Sequence, residues 1–371
     1  MLFKKKDKAN NGQVNSKLKY GLSIGFLLVL IIVTFTTIFS TYGFSNLIEI
    51  LKEVDLTCVL IGVILVFVYI FFEGLATRQL LKSVGYFTSV WANFEYAAID
   101  YYYCAITPSA TGGQPMVAYF MAKDDIPVTA SSQVLLVNTA IFKIVLICLS
   151  LFSLIFSYQY IFNTTLMLVL FIVGIAVNIV LITFCLLMCF KRDWIEYVGK
   201  RLILLLIRMK ILKKPIKLIK AFNKKMDEYQ EGARLIKGKK IRVFKTFIYN
   251  FIQRTALFSI AYFVYRAFCK SIPELSGFNY FDLFAIQTLI ALSVDSLPLP
   301  GGMGISEILY VGIFEIVYGL YDGALIGSAM LLTRIVSFYI PLMITAIISI
   351  KRHIQVMVKD RKVSKESSIV W

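Results

Sequence analysis

The sequence predicts an all-α integral membrane protein: six or so full transmembrane helices plus two opposed re-entrant helical hairpins, arranged as an inverted repeat. Three observations predict it. Of the 371 residues, 58% are hydrophobic and the mean hydropathy is +0.76, too apolar for a soluble globule. Two strings, Pro108 to Pro115 (PSATGGQP) and Pro298 to Glu307 (PLPGGMGISE), each place two prolines and a glycine pair inside a long apolar region. Proline lacks the backbone donor and glycine is a poor helix interior, so neither string continues a regular helix. Broken backbone at membrane depth is tolerated only where protein or a watery cavity satisfies it. Finally, Lys and Arg gather in particular loops, which sets an orientation for every span.

Taken in order, residues 1–19 carry Lys4, Lys5, Lys6, Lys8, Lys17 and Lys19 against Asp7 alone, a cytoplasmic basic tail. The first repeat, 20–190, opens with a span from about Tyr20 to Thr41, too long for a signal-peptide core and without a small-residue cleavage site. The loop to Asp55 leans acidic, and a second span, about Leu56 to Ala76, returns to Arg78 and Lys82. Residues 90–126 hold the first glycine string between apolar arms, each shorter than the roughly 20 residues a span needs. Spans follow from about Val128 to Ser157 and from Asn163 to Phe190.

The connector 191–245 has 18 Lys/Arg against five acidic residues, a cytoplasmic signature. Within it KRLILLLIRMKIL reads as an amphipathic helix lying on the membrane surface. The second repeat, 246–350, has a span from about Thr246 to Phe268, then the arms Phe281–Leu297 and Ile308–Leu320 around the second string (281–320), then a last span, about Gly323 to Ile350. A basic tail, 351–371, closes the chain. With residues 77 and 128 on one side, the first hairpin enters and leaves from the cytoplasm. With both tails also inside, the second enters and leaves from outside, as an inverted repeat requires.

Charges at hydrocarbon depth cost about 2.5–3.5 kcal/mol on insertion scales and face a cavity or a partner. The candidates are Glu73, Asp100, Lys143, Arg254, Arg266, Asp295, Glu307, Glu315 and Arg334. Glu73, Arg254 and Arg266 fall near the expected span ends, where snorkelling competes with function. Lys143 and Arg334 sit deeper and suit an internal salt bridge or a lipid phosphate. Asp295 and Glu307 flank the second string, either facing substrate or capping broken helices. The glycine pairs either present bare amides to an anion or let the turns pack closely. No GK[ST] follows either pair, so a nucleotide P-loop is excluded, and no cofactor is expected. His353 is the lone histidine, so neither a metal site nor a histidine-based triad is expected. The net charge of +17 lies beside spans, which favours anionic lipid headgroups and not nucleic acid as its partner.

At the two strings the chain resembles the transmembrane flippase-like domain of lysylphosphatidylglycerol synthases. ITPSATGGQPMVAYFMAKDDIPVTAS is similar to the first signature of that family, in the GGQP form of Gram-positive bacteria, and LPLPGGMGISEILYVGIF to its second. The resemblance implies substrate-contacting roles for Thr107, Pro108, Gly112, Gly113, Gln114 and Pro115 in the first motif. It implies the same for Pro298, Pro300, Gly301, Gly302, Gly304 and Glu307 in the second; Ile305-Ser306 departs from the small residues common there. It also implies a bacterial plasma-membrane protein that moves an aminoacylated or other polar-head phospholipid outward, lowering surface charge against cationic antimicrobial peptides. In two-part members a soluble domain transfers lysine to phosphatidylglycerol. Only 21 residues follow Ile350 here, so transfer by this chain alone is not expected. A transferase reading, a non-catalytic role beside a lipid-modifying enzyme, and a homo-oligomer stay open from sequence.

Overall fold

The computed structural model describes residues 52–107, 111–162, 165–194, 196–199, 201, 215–269, 277–294 and 323–369. Among them there is no strand. The helices are α1 (Leu56–Ser83), α2 (Val90–Ile106), α3 (Gly113–Lys123), α4 (Val128–Phe162), α5 (Thr165–Phe190), α6 (Pro215–Gly238), α7 (Lys240–Cys269), α8 (Tyr280–Val294), α9 (Gly323–Arg334) and α10 (Ile340–Ile369), the last two joined by a π-helical turn, Ile335–Tyr339. Four stretches among the described residues are long and apolar enough to cross a membrane: Leu56–Ser83, Val128–Ile155, Phe171–Phe190 and Ser328–Lys359. The expected span Tyr20–Thr41, the amphipathic run after Arg201, the second glycine string and the arm Ile308–Leu320 lie outside the described residues.

α1 shows how a span is built. Asp55 caps it, accepting from the Thr57 amide at 2.9 Å. Leu56, Leu60, Ile64, Phe67 and Phe71, three or four residues apart, are exposed large apolar side chains, whereas Gly62, Val66, Ile70 and Gly74 on the other side are buried. An uninterrupted exposed apolar stripe beside a buried one is the surface that lipid, not water, covers. α7 runs antiparallel against the buried side. Asp55 N–H donates to the carbonyl of Ala267 at 2.9 Å, and the Thr246 hydroxyl to that of Ala76 at 3.5 Å.

α2 and α3 form a helical hairpin. At about 1.5 Å per residue, their 17 and 11 residues reach roughly 26 and 17 Å, short of the roughly 30 Å hydrocarbon core. α3 runs back along α2, so that Asp124 after α3 meets Tyr96 of α2, whose hydroxyl donates to it at 2.6 Å. The open end of the hairpin is clamped to α10. Arg352 pairs with Asp124 and lies 3.6 Å from Glu95, which in turn accepts from the Trp91 indole at 2.9 Å. Burial first, and the bond to Asp124 second, hold the Tyr96 hydroxyl far above the usual tyrosine range. The last helix therefore continues well past Ile350 into the basic tail and is anchored there.

α6 packs across the ends of α4 and α5 through Met226, Ala233 and Ile236. Its Tyr229 hydroxyl donates to the carbonyl of Met188 at 3.0 Å, and the Gln133 amide donates to the carbonyl of Tyr229. α8 sits between α4, α5 and α7. Thr288 donates to Ser153 at 2.7 Å, and the hydroxyls of Ser259 and Tyr280 share a 2.7 Å bond.

Candidate functional site

The turn of the first hairpin is held by one side chain. The Thr107 hydroxyl donates to the Tyr103 carbonyl at 2.6 Å, closing the end of α2, and accepts from the Gly112 amide at 2.9 Å, opening α3. Gly113 is required by proximity. A Cβ there would stand 2.3 Å from Oδ1 of Asp100 and 2.4 Å from Sγ of Cys104. At Gly112 it would stand 2.5 Å from Cγ2 of Thr107. Pro115 lies in the first turn of α3, where a missing N–H costs no helical bond. Gln114 fastens the turn to α4 by donating to Thr139 at 2.5 Å.

Beneath this turn the interior is polar. Asp100 contacts both Glu73 of α1 and the thiol of Cys104. Two carboxyl groups packed together away from water need opposite charge nearby. Arg254 of α7 supplies it, acting on Glu73 by attraction. Arg254 is 6% exposed, and its guanidinium lies over the Phe142 ring at 3.5 Å from the centroid, a cation–π contact at short range.

Arg254 also lines a cavity of about 210 Å³ together with Arg334, Tyr69, Tyr101, Gln287 and Ser337. The rest of its wall is largely apolar, including Leu257, Phe258 and Phe338. The π-helical turn shapes one side. Pro341 has no N–H to offer the Ser337 carbonyl in the i→i−4 ladder, and that carbonyl accepts the Tyr101 hydroxyl at 2.8 Å instead. The side-chain oxygen of Gln287 is buried and accepts no hydrogen bond among the described residues. Two guanidinium groups with tyrosine hydroxyls and an amide, in apolar walls, have the chemistry that could hold a small anionic group carrying further polar substituents.

Of the residues singled out from sequence, Thr107, Gly112, Gly113, Gln114 and Pro115 come together at the hairpin turn, and Arg334 reaches the cavity. Pro108, Asp295, Pro298, Pro300, Gly301, Gly302, Gly304 and Glu307 lie outside the described residues. Lys143 is 9% exposed on α4 but does not line the cavity; its ammonium is 5.8 Å from the centre of the Phe142 ring, and its charge acts on Cys185. Two expectations need correction. Arg254 and Glu73 are not span-end residues free to snorkel. α7 begins at Lys240, not Thr246, and α1 runs on to Ser83, so both positions are well inside their helices and face each other. Tyr69, Tyr101 and Gln287 were not singled out as site residues. A tyrosine in an apolar run carries no depth signal.

The comparison with protein families agrees with this architecture. The model of the family described as Lysylphosphatidylglycerol synthase TM region matches residues 22–344, and the chain belongs to that family. No curated protein matches the chain.

Proposed function

We propose that this member of the lysylphosphatidylglycerol synthase transmembrane-region family moves a phospholipid between leaflets, with the headgroup passing through the cavity between Arg254 and Arg334. The lipid is an aminoacylated one such as lysylphosphatidylglycerol, or another anionic or polar-head phospholipid, and its outward display would lower surface charge and resist cationic antimicrobial peptides. The observation that carries the reading is the cavity itself: it is lined by two arginines, buried Arg254 and half-buried Arg334, at the junction of α1, α7 and the π-helical turn, beside the glycine-built hairpin. Its volume of about 210 Å³ suits a headgroup and not a whole lipid, being below the roughly 300–1,000 Å³ of pockets for drug-sized molecules. Acyl chains then stay in the bilayer.

On this reading the Glu73–Asp100 pair, whose Glu73 is attracted by Arg254, receives an amino substituent while the arginines hold the phosphate. The first hairpin is re-entrant from the cytoplasmic side, as its two clamped ends suit, and the second glycine string supplies the opposed hairpin of the inverted repeat. Both termini are cytoplasmic. The test is transfer of labelled lipid across proteoliposome membranes containing the purified chain. Phosphatidylglycerol or lysylphosphatidylglycerol should cross faster than in protein-free vesicles, and phosphatidylcholine should not. If none crosses faster, the proposal is wrong.

A further inference from the structure

A second cation-rich cavity lies where α1 ends and α7 begins, about 14 Å along α7 from Arg254, given nine residues at 1.5 Å each. Its volume is about 650 Å³, and it is lined by Gln79 and Lys82 of α1 and by Lys239, Lys240, Arg242 and Lys245 around the start of α7, with Gly238 and Ile241. No carboxylate is among these residues.

Two features concentrate basic side chains at this place. The start of α7 ordinarily attracts acidic side chains, whereas the ends of α1 and α6, which meet it here, favour basic ones. α7 has no acidic residue in its first turn and puts Lys240 and Arg242 there instead. Arg78, Arg242 and Lys245 all repel the ammonium of Lys82, so like charge is concentrated here. In addition, Nη1 of Arg242 is buried and has no hydrogen-bond partner among the described residues. Such a set calls for a phosphate-bearing anion.

The surroundings select the kind of anion. Ile241 is 74% exposed at the cavity, and Phe244, Ile248 and Phe251 follow it along one face of α7 at helical spacing, all exposed. The cavity also sits at the basic end of the span Leu56–Ser83, where a helix of that length leaves the hydrocarbon core. We propose that it holds the headgroup of an anionic phospholipid from the adjoining leaflet, with the acyl chains against Phe244, Ile248 and Phe251, as a fixed lipid distinct from the one translocated.

The test is native mass spectrometry of the full chain in micelles supplied with phosphatidylglycerol, cardiolipin or phosphatidylcholine. It compares the wild type with the Lys82→Gln/Lys245→Gln double variant and with Lys82→Arg/Lys245→Arg. Near a surface each lysine is worth about 1 kcal/mol toward anionic lipid, so removing two should weaken retention about thirtyfold. The arginine pair should retain the lipid, phosphatidylcholine should not be held, and inorganic phosphate or glycerophosphate should not displace the bound lipid. Equal retention by the glutamine variant, equal retention of phosphatidylcholine, or displacement by free phosphate would each overturn the proposal. Because these variants leave Arg254 and Arg334 in place, either outcome is independent of the translocation assay.

Discussion

The two cation-rich cavities differ in the cations they use and in what surrounds them. The interior one relies on arginine: Arg254 lies against Phe142 and faces Glu73, and Arg334 stands across the space. The one at the edge relies mainly on lysine, lined by Lys82, Lys239, Lys240 and Lys245 with no carboxylate. Physical chemistry separates them. A guanidinium is weakly hydrated, stays charged and stacks on rings, so it can be buried where an ammonium, a compact and strongly hydrated charge, is better left near water. The interior charges are therefore part of the packing, and the edge charges are not.

The strongest way to break that contrast is Arg254→Ala. Removing one partner from a buried charge group strands the other, so unfolding in detergent should become easier by about 3–5 kcal/mol. Adding Glu73→Gln should recover part of the loss, since the two effects share one interaction; simple additivity would show that Arg254 does not serve the acid pair. Gly113→Ala comes next. Its new methyl group meets Asp100 and Cys104 at separations real Cβ atoms do not occupy, so overpacking should cost about 1–3 kcal/mol in the same measurement. Tyr101→Phe removes only the hydroxyl bond to Ser337 and should cost about 0.5–1.5 kcal/mol. Lys82→Gln with Lys245→Gln should change stability in zwitterionic detergent by no more than about 0.5 kcal/mol. A larger loss there would mean the edge charges are structural after all.

Much of this was legible in the residues. The long apolar spans follow from hydropathy, and the break between α2 and α3 from a string of prolines and glycines that a regular helix does not run through, its last residues Gly113 to Pro115 opening α3. Thr107, Gly112 and Gly113 meet there because a turn this tight selects small and hydroxyl-bearing side chains. The depth of Arg254 was not legible. Lys240, Arg242 and Lys245 read as loop residues, yet they form the first turns of α7 and push the apparent end of the span outward. The cavity wall was hidden for a related reason: Tyr69 and Tyr101 are as common at membrane interfaces as in cores. Pro341 acts through a carbonyl four residues earlier, and its effect depends on Tyr101, 240 positions away in sequence. Such pairings arise from packing and leave no local pattern.

The most direct test of the interior site is lipid transfer in proteoliposomes by Arg254→Gln and Arg334→Gln, with each variant first shown to be monodisperse and folded. A charge-assisted hydrogen bond to a headgroup is worth about 1.5–3 kcal/mol, so each variant should move phosphatidylglycerol or its lysyl ester about 10- to 100-fold more slowly than the wild type. Transfer at the wild-type rate by both folded variants would contradict a headgroup path between these two arginines.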